Sequence, residues 1–92
     1  MKFNVEWKRK ATKQLFKMPQ VVQKRIMDGV GKLSDSETWG DVRKLVNHQY
    51  SHRLRIGDYR VLFDTDVDSP EIEHEIRILE IQEVKKRDER TY

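Results

Sequence analysis

With 92 residues, the chain has room for one domain and one modest core, and residues 1–92 are read as a single unit. It has no cysteine, which excludes a disulfide framework and a thiolate metal site and fits a reducing, cytoplasmic setting. Charged residues reach 38 %, but 19 Lys+Arg against 16 Asp+Glu leave a net charge of only +3, and disorder usually pairs low hydrophobicity with a high net charge. The longest apolar run, Ile76 to Ile81, is interrupted by Arg77 and Glu80. A transmembrane helix needs about 20 apolar residues, so no membrane span is expected. Met1 to Glu6 holds no apolar stretch resembling a signal peptide.

Lys2 to Glu6 alternates, with Phe3 and Val5 on one face, and predicts a short strand. From Trp7 the spacing turns helical: Trp7, Ala11, Leu15 and Met18 share a face. Pro19 ends this helix and suits the first turn of a second, in which Val22, Ile26, Val30 and Leu33 form the apolar stripe. Gly29 and Gly31 weaken the end of that helix. Ser34 to Asp41 reads as loop, with a turn at Trp39-Gly40-Asp41, and Val42 to Leu45 as a short strand or a helical turn. His52 to Ile56 and Tyr59 to Thr65 are the clearest strands. Gly57-Asp58 between them predicts a two-residue hairpin turn of type II′. Asp66 to Glu71 is the next loop, Ile72 to Val84 a long strand, and Lys85 to Tyr92 a charged tail. The order of strand, α-helical hairpin and three consecutive antiparallel strands predicts an α+β fold, with helices on one face of the sheet. Trp7 and Trp39 read as core anchors rather than base-stacking rings.

The two-residue turn sets a register. Ile56 faces Tyr59, Arg55 faces Arg60, Leu54 faces Val61 and Arg53 faces Leu62. One face then carries Leu54, Ile56, Tyr59, Val61 and Phe63, which is core. The other carries Arg53, Arg55 and Arg60. Like charges directly opposite each other destabilise a sheet, and a polyanion would offset that cost. A guanidinium presents a planar fork of donors suited to phosphate. The structural alternative is a solvated face whose arginines pair with Glu73, Glu75 or Glu80.

The tail supplies a second group: Lys85, Lys86, Arg87 and Arg90, with Tyr92 at the end. Consecutive antiparallel strands bring the end of the last strand near the Gly57 turn, so the tail is expected beside the arginine face. Cations beside an aromatic ring suit single-stranded RNA. The alternative is a solvated terminus. Elsewhere, Asp64, Asp66, Asp68 and Glu75 graze a calcium-loop spacing, but Ser69 and Pro70 stand at its sixth and seventh positions, where glycine is required at the sixth. No metal or other cofactor is expected. Charge is unevenly spread: residues 1 to 25 are basic apart from Glu6, and Asp64 to Glu83 is acidic apart from Arg77.

The stretch Tyr50-Ser51-His52-Arg53-Leu54-Arg55-Ile56-Gly57-Asp58-Tyr59-Arg60-Val61-Leu62-Phe63 resembles the central hairpin of the RelE/ParE toxin superfamily. Val84 to Tyr92 resembles the C-terminal segment of its RelE branch, and Arg43-Lys44-Leu45 also fits the pattern. The resemblance covers nearly the whole chain. It implies the toxin of a toxin–antitoxin pair, an mRNA endonuclease that acts in the ribosomal A site without a metal. The RNA 2′-hydroxyl attacks its own phosphate and leaves a 2′,3′-cyclic phosphate. The partners implied are a cognate antitoxin, the ribosome and mRNA.

The family's catalytic positions fall on Arg53, Arg55, Arg60, Lys86, Arg87 and Tyr92, with Lys85 and Arg90 as further RNA contacts. The best-known member has lysines at the positions of Arg53 and Arg55. Arginine stays protonated and is a poor general base, so the proton acceptor falls to Lys86, Tyr92 or a histidine, His52 or His48. The ParE branch, which poisons DNA gyrase by binding, is the alternative implied by the same superfamily, and the Lys86-Arg87…Tyr92 ending argues against it. An inactive relative that only binds its antitoxin is a third.

Overall fold

Phe3 and Val5 do point to one side of a strand, β1 (Lys2–Trp7), which runs one residue beyond the expected end. Trp7 therefore belongs to β1, and the extended backbone of Lys8 delays the first helix, α1 (Arg9–Phe16). The Lys8 N–H still donates to the Ile81 carbonyl at 2.9 Å, in line with the strand. Ala11 and Leu15 are buried as their spacing predicts. Pro19 stands at the N-cap of α2 (Gln20–Gly31), which buries Ile26 and Val30 and continues through both glycines. Gly29 is needed for closeness: a Cβ there would lie 2.5 Å from the Ile56 Cδ1 atom. Two 3₁₀ turns, Lys32–Ser34 and Ser36–Thr38, follow.

The computed structural model describes residues 1–68, 70 and 75–87. Among these, the strands form one five-stranded sheet in the order β1-β5-β4-β3-β2. The open choice at Val42 resolves as a strand, β2 (Asp41–Lys44), paired antiparallel with β3 (His52–Ile56). β3 continues through the Gly57 turn into β4 (Tyr59–Asp64), and β4 pairs antiparallel with β5 (Ile76–Lys86). β1 pairs parallel with β5. The sheet thus has one strand more than the firm sequence expectation. β5 also runs through Lys85 and Lys86, which that reading put in the tail. The expected start of this strand, Ile72 to His74, lies outside the described residues.

Inside β5 the register shifts between Leu62 and Phe63 on the partner: Leu62 pairs with Glu83 and Phe63 with Ile81, so Gln82 is the extra residue of a bulge. The shift matters for what faces where. Leu79 and Ile81 face the helices; after the bulge Val84 does so, and Glu83 turns to the outer face. The N–H of Val84 at the bulge is satisfied by the Gln14 side-chain carbonyl of α1 at 2.7 Å.

The core lies between the helices and this inner face: Phe3, Ala11, Leu15, Ile26, Val30, Leu33, Leu54, Val61, Phe63, Leu79, Ile81 and Val84. Trp39 closes one end, with its ring 5.2 Å from Phe3 and 5.8 Å from Phe63. Its indole N–H donates to the Leu33 carbonyl at 2.9 Å. Arg77, the one base of the acidic stretch, is buried. It donates to the carbonyls of Asp66 and Pro70 at 2.9 and 2.6 Å, tying the β4–β5 connection to the sheet.

Gly57 has φ +56°, whereas Asp58 is not among the positive-φ residues, as a type II′ turn requires. The Arg25 guanidinium of α2 also lies where a Cβ would sit, at 2.7 Å. Gly57→Ala is therefore expected to cost about 1–2 kcal/mol, the penalty for an L-residue at positive φ. The shift of the urea unfolding midpoint checks this, and an unchanged midpoint would contradict the turn assignment.

Candidate nucleic-acid interface

The hairpin register is the one the turn dictates: Ile56 opposite Tyr59, Arg55 opposite Arg60, Leu54 opposite Val61, Arg53 opposite Leu62. The flanking strands extend it. β2 places Asp41 opposite Arg55 and Arg43 opposite Arg53, and β5 places Lys85 opposite Arg60. Arg55, Arg60 and Lys85 thus form a row across three neighbouring strands, spaced about 4.8 Å apart, with Asp41 at its end. Arg43 and Arg53 form the start of a second row on the same face.

Lys86 pairs with Tyr59 and so occupies the opposite, helix-side face. The expected Lys86 and Arg87 pair is split between the two sides. Arg87 returns to the arginine side: its N–H donates to the Asp58 carbonyl at 2.6 Å, which holds the end of β5 against the turn. Leu45, Arg53, Arg55, Gly57, Asp58, Tyr59, Arg60 and Arg87 together line an open cleft of about 280 Å³. The structure brings Arg53, Arg55, Arg60 and Arg87 together there and sets Lys85 in the adjoining row. Arg90 and Tyr92 lie outside the described residues.

The arginines are not equivalent. Arg53 is half-buried; its guanidinium lies 3.5 Å from the Asp41 carboxylate and donates to the Asp41 carbonyl at 3.3 Å. Arg55 is exposed and, among the described residues, has no ion-pair partner. The carboxylates expected to neutralise this face are occupied elsewhere. Glu75 lies 3.7 Å from Arg77 and Glu80 3.2 Å from Lys8, while Glu73 lies outside the described residues.

One acidic residue on this side was not foreseen. Glu83 is buried opposite Leu62 and lies 3.1 Å from Lys10 and 3.5 Å from Lys85. Burial pushes its carboxyl upward, but hydrogen bonds from Tyr50 and Lys10, with the charges of Lys85 and Lys10, prevail and hold it below the usual carboxylate value. The same bond to Glu83, then burial, raises the Tyr50 hydroxyl. Tyr50, Leu62 and Glu83 make a small buried patch beneath the outer face, and Glu83 steadies Lys85 in the cationic row. The signal for this lay in β5 itself: buried positions Leu79, Ile81 and Val84 break strict alternation, which marks the bulge. Arg43 was missed because its face is known only once Val42 is known to lie on a strand.

The two candidate histidines stand apart from the cleft. His52 is buried, stacked on Phe63 at 5.3 Å and edge-on to Trp39 at 6.1 Å, with Nδ1 at 2.7 Å from the Ser51 hydroxyl. His48 is exposed, and its Nδ1 accepts from the Tyr50 N–H at 3.1 Å. Neither lines the cleft.

Solved structures show what this arrangement is similar to. A chain of the archaeal RelE–RelB complex from Pyrococcus horikoshii superposes with a TM-score of 0.72 at 22 % identity, over 97 % of this chain and 99 % of that one. The chain has the RelE fold. A RelBE toxin–antitoxin complex from Mycobacterium tuberculosis matches this RelE fold with a TM-score of 0.70 at 23 % identity, over 95 % of this chain and 100 % of that one. The RelB–RelE complex of Methanococcus jannaschii gives 0.63 at 18 % identity, over 88 % of each chain. No protein-family model and no curated protein matches the sequence. The α+β expectation thus holds at the level of a specific fold. Among the described residues, no helix is long and apolar enough to cross a membrane.

His52 has a consequence for stability. Burial first, then the nearby Lys44 charge, lower its pKa from 6.5, against smaller opposing pulls from Asp68 and Asp64. The folded state therefore favours the neutral ring. Its contribution is intact above the unfolded-state value of about 6.5, is lost as pH falls below it, and levels off beneath the folded pKa. Urea midpoints measured from about pH 7.5 downward should fall with acidity in the wild type and lose that component in His52→Phe. An identical slope in both proteins would contradict the buried neutral ring.

Proposed function

We propose that the chain is the toxin of a toxin–antitoxin pair and a ribosome-dependent mRNA endonuclease. The observation that supports this reading is the cleft in which Arg53 and Arg55 of β3, Arg60 of β4 and Arg87 at the end of β5 converge. The RelE fold supports the toxin class. On this reading a cognate antitoxin holds the toxin inactive, and mRNA in the ribosomal A site is the substrate.

In the proposed reaction the 2′-hydroxyl oxygen attacks the adjacent phosphorus and its proton passes to an acceptor. The bond from phosphorus to the 5′-oxygen then breaks, and that oxygen takes up a proton. The products are a 2′,3′-cyclic phosphate and a 5′-hydroxyl, and the step balances without a metal or other cofactor. Arg55 and Arg60 contact the scissile phosphate and stabilise the charge that grows on its oxygens in the pentavalent transition state. Arg53, already tethered to Asp41, supports RNA binding. Arg87 acts near the leaving 5′-oxygen, Lys85 and Arg90 hold the flanking backbone, and Tyr92 stacks on a base or orients the nucleophile. The arginines cannot accept the proton. Lys86 lies on the opposite face, His52 is committed to the core and His48 stands outside the cleft, which leaves that task to Tyr92.

In a purified translation system, the wild-type protein is expected to cut mRNA within codons on the ribosome. Arg60→Ala is expected to lose at least about 100-fold in cleavage rate, the scale for one transition-state donor. Primer extension on the recovered mRNA reads both. Intact mRNA with the wild type, or an unaffected Arg60→Ala, would overturn the proposal. DNA damage and filamentation with intact mRNA would favour the gyrase-binding alternative.

A further inference from the structure

The arginine cleft has a neighbour at the corner of the sheet. β2 pairs with β3 only as far as Asp41 opposite Arg55, so the pairing stops one residue before β3 ends at Ile56. Beyond that point α2 forms the wall. Its residues Arg25, Asp28, Gly29 and Lys32, the last just past its end, recur at i, i+3, i+4 and i+7 and so share one helix face. With Gly40, Asp41 and Arg55 they line a second open hollow, of about 350 Å³. Two contacts join it to the cleft. Arg55 lines both. The Arg25 guanidinium reaches from α2 to the hairpin turn, where Nη2 lies 2.7 Å from the position a Cβ of Gly57 would take. The glycine that makes the turn thus also makes room for a further arginine beside the cleft.

The charges say what the hollow would hold. Asp28 stands three residues after Arg25 and four before Lys32, spacings at which ion pairs form on a helix. Neither pair is made: the three side chains are exposed and, among the described residues, have no ion pair or hydrogen bond. Two cations beside an open carboxylate match a nucleotide, the cations taking phosphate and the carboxylate a base edge. Guanine offers one carboxylate two adjacent donors, the ring N1–H and the 2-amino group. Uracil offers one N–H between two carbonyl oxygens, which a carboxylate repels.

The order of the strands gives the direction. In the proposed reaction the leaving 5′-oxygen lies at Arg87, by the end of β5, and the scissile phosphate at Arg60 and Arg55 on β4 and β3. RNA on the 5′ side of the cut therefore runs past Arg55 toward the β2 side of the sheet, where the hollow opens. We infer that the hollow is a second RNA subsite, which takes a guanine nucleotide on the 5′ side of the cut. Arg25 and Lys32 hold its phosphate and Asp28 accepts from its base. The inference rests on the proposed function, whose substrate it narrows.

The test is titration of the ¹⁵N-labelled full chain with three RNAs of about four nucleotides, carrying 2′-O-methyl sugars that cannot react. One is all uridine, one has guanine at its 5′ end and one has guanine at its 3′ end. A 3′ guanine cannot reach the hollow while the other nucleotides fill the cleft. The 5′-guanine RNA is expected to bind at least about fivefold more tightly than the other two, the lower end of the scale for a two-donor base contact. Asp28→Asn should remove that advantage. Arg25→Ala/Lys32→Ala should weaken all three RNAs at least about tenfold, whereas Lys24→Ala, exposed on α2 outside the hollow, should change affinity far less. Equal affinities, an advantage for the 3′ guanine, a preference that survives Asp28→Asn, or equal losses in Lys24→Ala and the double variant would each overturn the inference. Amide shifts at Tyr59 and Arg60 with none at Gly29 and Gly40 would overturn it and leave the cleft reading standing. No shift at any of the four would overturn both. Intact mRNA in the translation assay beside a clear 5′-guanine preference would fail the nuclease reading alone.

Discussion

The outer face depends on a two-residue turn. Gly57 alone adopts positive φ there, so the strands leave the turn with Ile56 opposite Tyr59, and alternation settles every later position. A turn longer by one residue would shift the pairing and could move Arg60 to the helix side, where Val61 and Phe63 now pack. The arginines share a face because the core residues between them share the other. The β5 bulge does the same work at the far end. It returns Val84 to the core and turns Glu83 outward in one step, and Gln14 of α1 satisfies the N–H of Val84 there. The core and the cationic row are thus two sides of one register.

That register puts Arg55 directly opposite Arg60, an arrangement that works against stability. The fold tempers the cost unevenly. Asp41 takes up Arg53, and Glu83 takes up Lys85 with help from Lys10 and Tyr50. Arg55 stands exposed between Asp41 and Arg60 in the row, with no ion pair among the described residues. A site that grips a phosphate needs cations that are held in place yet not fully neutralised. Arg55, held on β3 without an ion pair among the described residues, meets that need for the proposed phosphate contact.

Much of this was legible in the sequence because it rests on local rules. Gly57-Asp58 between alternating strands specified the turn, and the turn specified the face of Arg53, Arg55 and Arg60. The helical stripes picked out Ala11, Leu15, Ile26 and Val30. What escaped depends on long-range pairing. Val42 has too short a run around it to declare itself a strand, so Arg43 and Asp41 could not be placed on the arginine face. Trp7 satisfies a helical spacing and a strand alternation at once, and pairing with Ile81 decides for the strand. Lys86 and Arg87 are neighbours in sequence, and only the continuation of β5 through Lys86 separates them onto two faces. The partners of Glu80 and Glu75 were likewise invisible, since Lys8 comes from the far end of the chain and Arg77 points into the β4–β5 connection. No sequence rule announced the second hollow either. The spacing of Arg25, Asp28, Gly29 and Lys32 marks one helix face, but only the fold sets Gly40 and Arg55 against it.

The central claim is that the arginine row grips a nucleic-acid backbone, and the salt dependence of binding measures that most directly. The affinity of a short single-stranded RNA, with 2′-deoxy sugars at the cut site to block reaction, would be followed over a range of salt concentrations. The account predicts a steep linear fall of log affinity with log salt, and a slope reduced by about 0.7 for each of Arg55 and Arg60 replaced by alanine. An affinity indifferent to salt, or a slope unchanged by both substitutions, would contradict it.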